Sequence, residues 1–300
     1  MTTTTPNITG PFNILFIINP GSGNKNADWK TLVAEYFKDL PHTIELFELP
    51  QTCDTGMIRT KIRAFKPDRV IAIGGDGTVK LVAECLMNTE TAMGIIPAGS
   101  ANGLAKELGI PTDPKRALEI CLSDYSQLIH VLKVNGELCI HLSDLGFNAF
   151  VVKMFESDKG RGMWGYIKAA WKALWRHPHM QVRIKMGDTW QQSLAAMIVI
   201  ANATRYGSGA LINPEGKLDD DLFEVVVVKE VSFKEIFKMM VTHSAYDKSK
   251  TQVYQTQSLE ISSRRLAHFQ VDGEYMGKVN KVKAKIFPRA LKLILPAPIA

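Results

Sequence analysis

Three glycine-rich loops constrain this chain more than any other feature, because each follows a short apolar β-branched run and precedes a helical pattern. Phe12 to Ile18 reads as a buried strand and stops at Asn19-Pro20-Gly21-Ser22-Gly23. Arg69 to Ile73 runs into Gly74-Gly75-Asp76-Gly77-Thr78, after which Val79 to Met87 continues as a helix. Ala92 to Ile96 ends in Pro97-Ala98-Gly99-Ser100-Ala101-Asn102-Gly103, with helical segments at Leu104 to Leu108 and Asp113 to Leu122. Between the first two loops the pattern predicts a helix over Asp28 to Leu40, a strand over Thr43 to Glu48 and a helix over Thr55 to Phe65. This alternation predicts a parallel sheet covered on both faces. Ligands of such sheets bind beyond the carboxyl ends of the strands, where these loops fall.

After about Leu128 the pattern changes. His130 to Val134, Leu138 to Leu142, Val182 to Met186, Ser193 to Ala201, Phe223 to Val228, Gln257 to Ser262, His268 to Val271 and Lys281 to Phe287 read as strands. Asn135-Gly136, Gly187-Asp188 and Asp272-Gly273 are hairpin turns by composition. Helical segments over Met163 to Arg176 and Phe233 to Ala245 interrupt them, and Leu291 to Leu295 returns as a last strand. A chain of 300 residues exceeds what one core comfortably organises. The predicted fold is therefore an α/β domain with a parallel sheet over residues 12–128, to which 289–297 returns, and an antiparallel β-sandwich over 129–288.

The loops suit a polyphosphate. Glycines let backbone amides approach an anion, the following helix presents its N-terminal N–H groups, Thr78 offers a hydroxyl and Asp76 a metal-binding carboxylate. No Gly-Lys-Ser/Thr follows, so Gly74 to Thr78 is not a Walker A loop, and it does not fit G-x-G-x-x-G. The formal net charge of +6 suits an acidic partner without choosing one, and no nucleic-acid-binding module is recognisable. Cys53, Cys85, Cys121 and Cys139 show neither C-x-x-C nor zinc-finger spacing, which predicts reduced thiols, a cytoplasmic setting and no structural zinc. Residues 1–11 lack the pattern of a signal peptide, and no run of ~18 apolar residues occurs, so membrane contact is expected to be peripheral.

In this order the loops resemble the catalytic domain of the diacylglycerol kinase and sphingosine kinase superfamily, in its bacterial lipid-kinase branch. The matching pieces include Asn19-Pro20-x-Ser22-Gly23, Thr52-x-x-x-Gly56, Gly74-Gly75-Asp76-Gly77-Thr78 and Pro97-Ala98-Gly99-Ser100-Ala101-Asn102. Downstream come Asp144-Leu145-Gly146-Phe147-Asn148-Ala149, Asn213-Pro214 through Lys217-Leu218-Asp219-Asp220, and Val271-Asp272-Gly273-Glu274. The resemblance spans 12–297; Gly-Gly-Asp-Gly by itself is shared with NAD kinases and phosphofructokinases.

The resemblance implies an ATP- and magnesium-dependent kinase acting on a diacylglycerol-like or sphingoid-like lipid hydroxyl, with an NAD kinase/diacylglycerol kinase-like fold. It assigns ATP to Asn19, Pro20, Gly21, Ser22, Gly23, Thr52, Gly74, Gly75, Asp76, Gly77, Thr78 and Ser100. It assigns a structural magnesium to the Asp220 carboxylate and the carbonyls of Lys217 and Leu222. Glu274 becomes the general base, with Asp76 and Asp219 supporting the catalytic magnesium and orienting Glu274. Homodimer pairing through the sheet domain occurs among relatives. Taken without the family, Val271 to Glu274 is only a hairpin turn and Asp219 to Asp221 only an acidic turn.

This sequence departs from the family pattern at Lys80, Leu81 and Gly103, and Asp221 stands where a glycine is usual. If that position requires φ > 0, Asp tolerates it better than most residues. Two other readings compete. An NAD kinase usually carries Thr-Pro-x-Gly-Ser-Thr-Ala-Tyr after the sheet, and that segment is not found; a catalytically silent ATP- or lipid-binding regulator is opposed by Asp76 and Glu274. In Gly160 to His179, helical spacing would place Ile167, Trp171 and Trp175 beside Lys168, Lys172 and Arg176, with Trp164 and Leu174 widening the apolar stripe. That pattern suits a helix on its own domain or an interface with anionic head groups. Phe237, Met239 and Met240 suit core or an acyl pocket, and Lys281, Lys283 and Lys285 fall on one strand face.

Overall fold

The structure is a computed structural model; it describes residues 10–23, 28–157, 179–204, 211–214, 216–231, 235 and 247–297. The chain divides into two compact units, Met1–Ile129 with Arg289–Ala300, and His130–Pro288.

In the first unit, β1 (Asn13–Ile18), α1 (Trp29–Phe37), β2 (Thr43–Glu48), α2 (Thr55–Phe65), β3 (Arg69–Gly74), α3 (Asp76–Leu86), β4 (Ala92–Pro97), α4 (Gly103–Glu107) and α5 (Pro114–Cys121) follow in order. β1 pairs in parallel with β2 and β3, and β3 with β4. β3 and β4 are buried along their whole length, as expected of central parallel strands. Asp54 and Asp113 cap α2 and α5, accepting from the amides of Met57 and Arg116. Arg69 is buried beneath the sheet's end, where its guanidinium donates to the carbonyls of Cys121 and Ser123 and meets Asp124. Cys121 is buried and Cys85 half-buried; burial raises the Cys85 thiol to about 11 and the Cys121 thiol to about 12, and all four cysteines are free.

The second unit holds most of β5 (Ser126–Val134), then β6 (Glu137–Cys139), β7 (Leu142–Gly146), α6 (Phe147–Ser157), β8 (Met180–Met186), β9 (Thr189–Ala195), β10 (Met197–Ala201), β11 (Phe223–Val228), β12 (Thr251–Thr256), β13 (Ser258–Val271) and the start of β14 (Glu274–Ile294). Antiparallel pairing runs β12-β11-β10-β7-β13-β14. Besides β14, β13 serves two further neighbours: residues 269–271 pair with β7 and residues 259–263 with β8, which in turn pairs with β9. The register shift between Ser262 and Ala267 marks the bend. Side chains such as Leu145, Val182, Ile184, Phe223, Ile261 and Val282 close the core between these strands.

Several elements differ from the sequence reading. β14 continues through Pro288 where two strands were expected, and Arg289 takes a φ of +49° just after the proline. The expected strand Ser193 to Ala201 is two strands that part at Ala196, whose carbonyl turns to accept from Phe147. α6 and β12 were not expected. The tryptophan-lysine stripe and Phe237, Met239 and Met240 lie outside the described residues.

Candidate active site

In the first unit the three loops are fastened to one another. The Asn19 amide donates to the Ile73 carbonyl at 2.9 Å, and its Nδ2 donates to Thr78 Oγ1 at 3.0 Å. Asn19 Oδ1 accepts from the Gly21 amide at 2.9 Å. A Cβ on Gly23, whose φ is +62°, would stand 1.9 Å from the Ala98 carbonyl oxygen. One on Gly99 would come within 2.4 Å of Gly75 Cα, and one on Gly74 within 2.3 Å of Thr78 Oγ1. These glycines are therefore demanded by packing, of loop on loop at Gly23 and Gly99 and against Thr78 at Gly74. α3 starts at Asp76 without a side-chain cap on its first amides, so its positive end faces the loop.

Asn102 secures the third loop. It is buried in the left-handed region at φ +51°, accepts from the Gly99 amide at 2.9 Å and donates to the Gly99 carbonyl at 2.8 Å. Asp76 Oδ1 accepts from the Leu104 amide at 3.4 Å, joining the second loop to the third. Of the predicted nucleotide residues, Asn19, Gly21, Ser22, Gly23, Gly74, Gly75, Asp76 and Thr78 are thus tied into one cradle, Ser22 through its amide to the Asn19 carbonyl. Pro20 and Gly77 belong to the same loops, and Ser100 is exposed beside Gly99. Thr52 is exposed ahead of α2 and makes no hydrogen bond to the cradle among the described residues.

The second unit carries the acidic residues. Asp272 and Gly273 form the β13–β14 turn at φ +50° and +86°, the paired positive φ of a two-residue hairpin. The Asp272 carboxylate accepts from the amides of Ile140 (3.0 Å), His141 (2.9 Å) and Leu142 (3.1 Å), and its own amide donates to the Leu142 carbonyl. On the other side Gln270 Oε1 accepts from the Gly273 amide at 2.7 Å, while its Nε2 donates to Asp144 Oδ2 at 2.6 Å. Asn148 donates to the same Asp144 oxygen at 2.6 Å. Asp144, Gln270 and Asn148 are all buried. Glu274, the first residue of β14, is exposed and follows directly on this pinned turn.

The acidic loop turns at Asp221, whose φ is +59°; the position usually held by glycine does need the left-handed region, and Asp supplies it. Asp220 Oδ1 accepts from the Leu222 amide at 3.2 Å, and the Leu218 carbonyl accepts from the His130 amide at 2.9 Å. His130 is fully buried; burial pushes its pKa down, and Asp220, Asp221 and Asp219 pull the other way. Asn213 donates to Glu224 at 2.6 Å, and its buried Oδ1 has no partner among the described residues. Burial pushes the Glu224 carboxyl up, against the hydrogen bonds from Gln255 and Asn213. Among the described residues no group of three or more His, Cys, Asp or Glu side chains is arranged to hold a metal. A cation here would rest on one carboxylate and backbone carbonyls, a hard oxygen donor set that suits magnesium.

Two family models cover the chain. One described as the diacylglycerol kinase catalytic domain matches residues 13–134, and one described as the YegS C-terminal NAD kinase beta sandwich-like domain matches 144–295, just over half of the sequence. The chain belongs to the diacylglycerol kinase family. Membership makes it a kinase, a transferase that places a phosphoryl group on an alcohol. This family member is 29% identical to a protein of Chromohalobacter salexigens named "Probable lipid kinase YegS-like", over 76% of each chain. It is 26% identical to a "Diacylglycerol kinase" of Staphylococcus saprophyticus over 71% of this chain and 72% of that one. The structure resembles that of a diacylglycerol kinase from Bacillus anthracis (TM-score 0.72, 18% identity, 96% and 99% covered). It resembles more distantly an NAD kinase from Archaeoglobus fulgidus solved with ATP (TM-score 0.52, 11% identity, 94% and 93% covered). Both likenesses place the fold within the diacylglycerol kinase and NAD kinase group, as the sequence led us to expect.

The residues missed by sequence reasoning are Asn102, Asp144, Gln270, Asn213 and His130. Asn102, Asp144 and Asn213 stood inside recognised motifs without a role. Gln270 carried no local signal, because its importance lies in a cross-strand partner 126 residues away.

Proposed function

We propose that this kinase transfers the γ-phosphoryl group of ATP, with magnesium, to the hydroxyl of a lipid at a membrane surface, diacylglycerol-like or sphingoid-like. The observation that carries the proposal is the cradle of mutually fastened glycine loops at the end of a parallel sheet, opening on the uncapped N-terminus of α3. Residues 12–128 with 289–297 would form the nucleotide domain and 129–288 the domain that handles metal and acceptor. Asn19 to Gly23, Gly74 to Thr78 and Ser100 would hold the triphosphate through amides and hydroxyls, and Thr52 would reach the nucleotide from the start of α2.

Glu274 would take the proton from the lipid hydroxyl as its oxygen attacks the γ-phosphorus and ADP leaves. The turn from Asp272 to Gly273 keeps its backbone in place. Asp76 and Asp219 would support the catalytic magnesium and orient Glu274, and Asp220 with the carbonyls of Lys217 and Leu222 would hold a structural magnesium. Bound magnesium supplies charge neutralisation for the phosphates. Among the described residues no helix is long and apolar enough to cross a membrane, and the lipid would be met by peripheral contact. Homodimer pairing through the sheet domain remains a proposal from the family.

The test is ATP consumption with magnesium against mixed micelles of diacylglycerol, a sphingoid base, ceramide or phosphatidylglycerol, with NAD as a soluble control. Turnover on one lipid that disappears without magnesium is the expected result. Turnover on NAD alone would reassign the acceptor, and ATP binding without any turnover would favour a regulator.

A further inference from the structure

One exposed sheet face in the second unit gathers cationic side chains. The even-numbered side chains of β8 and of β14 between Lys281 and Phe287 point into the core, so the odd-numbered ones there face outward. Register then fixes what stands together: Lys185 opposite Trp190 and Gln181 opposite Leu194 across β8–β9, and Lys185 opposite Glu260 across β8–β13. Glu260 lies opposite Lys283, Ser262 opposite Lys281 and Ser258 opposite Lys285 across β13–β14. Lys133 adjoins from β5, whose following residue Asn135 exchanges hydrogen bonds with Lys283. The strands of this face therefore carry six cations, Lys133, Arg183, Lys185, Lys281, Lys283 and Lys285, against one carboxylate, Glu260. Glu137 and Asp188 stand only at its margins, in or beside hairpin turns.

Two further features give the face a direction. A groove of about 560 Å³ is lined by Lys133, Lys185, Lys283 and Lys285 with Ser258 and Glu260, space for an anionic head group with lysines around it. At the outer strand, Trp190 is 51% and Leu194 54% exposed, and Trp190 lies beneath Arg183 (4.9 Å) and Lys185 (5.6 Å). An exposed indole flanked by cations is disfavoured in water and matched to the interfacial zone of a bilayer, where its apolar body is buried and the cations meet phosphates.

We infer that the outward face of β14, β13, β8 and β9 is the surface by which this kinase docks on an anionic bilayer, with lipid phosphates in the lysine groove and Trp190 and Leu194 at the acyl boundary. The inference deepens the proposed peripheral contact by naming the surface and its lipid charge. The bilayer is favoured over a nucleic acid because the exposed apolar pair sits on the strand paired to the cationic one.

The test is co-sedimentation of the full chain with phosphatidylcholine vesicles and with vesicles containing phosphatidylglycerol. The variants are Lys281→Glu/Lys283→Glu/Lys285→Glu, Trp190→Ala, and a control with the same charge change on the first unit, Lys38→Glu/Lys115→Glu/Arg116→Glu. Wild type and control are expected to bind only the anionic vesicles and to release at high salt. The sheet triple variant should partition on the order of 100-fold more weakly, and Trp190→Ala roughly 10-fold more weakly. Binding is read without turnover, so it stands or falls separately from the kinase assay. Equal binding to both vesicle types, unchanged binding by the sheet triple variant, an equal loss in the control, or preference for duplex DNA over anionic vesicles would each overturn the inference.

Discussion

The two units hold their candidate functional residues by different means. In the first unit the backbone does the holding: Gly23, Gly75 and Gly99 let three loops touch main chain to main chain. In the second unit buried polar side chains do it, with Asp272 gathering three amides and Gln270 linking the turn to Asp144. A polyphosphate offers the same charge along its length, and backbone amides suit it. The proposed general base must sit at one point, and a buried hydrogen-bonded network specifies position more tightly than a loop can. The first half should therefore fail when a Cβ is added, the second when a hydrogen-bonding atom is removed.

The largest expected effect is at Glu274. Glu274→Gln keeps the shape and removes the carboxylate proposed as the base, and should lower kcat by about 10²–10⁴-fold in a lipid-dependent ATPase assay. Next comes Gly99→Ala, where the new Cβ meets the Gly75 backbone, which cannot swing away as a side chain could. Overpacking of that kind costs ~1–3 kcal/mol, and calorimetry should show ATP affinity reduced by roughly 10-fold. Gln270→Met is smaller and different in kind. It strips partners from the Gly273 amide and from Asp144, a cost of ~1–3 kcal/mol, and should lower kcat while leaving the KM for ATP unchanged.

The smallest effect is a pH slope. His42 Nδ1 accepts from the Phe12 amide at 3.1 Å, which requires a neutral ring, and burial first and Arg69 second lower its pKa below 6.5. Below that value the unfolded chain binds a proton that the fold does not, so stability falls as pH drops. His42→Asn, with an oxygen in place of the ring nitrogen, should show a shallower decline of Tm from about pH 7 to about pH 5.

The same contrast explains what could be read from the sequence. β1, β3 and β4 are apolar runs that lead into glycine-containing loops, and the cradle's residues lie within a few positions of their ends; local pattern sufficed. β12, Thr251–Thr256, is polar and half-exposed and gave no hydrophobic signal, and α6 begins inside the matching piece Asp144 to Ala149, directly after Gly146 at φ +110°, where no helical spacing was read. β14 was divided because proline usually ends a strand, yet Pro288 is accommodated with Arg289 in the left-handed region. Gln270 and Asp144 meet only through antiparallel pairing, information that no window of sequence contains.

The most direct measurement follows ATP binding by calorimetry and lipid-dependent ATP turnover side by side in wild type, Glu274→Gln and Gly99→Ala. Uncoupled losses are predicted: Glu274→Gln binds ATP as wild type does and does not turn over, whereas Gly99→Ala loses affinity first. Full turnover in Glu274→Gln, or equal loss of ATP binding in both variants, would contradict a nucleotide held by backbone in one unit and a base held by side chains in the other.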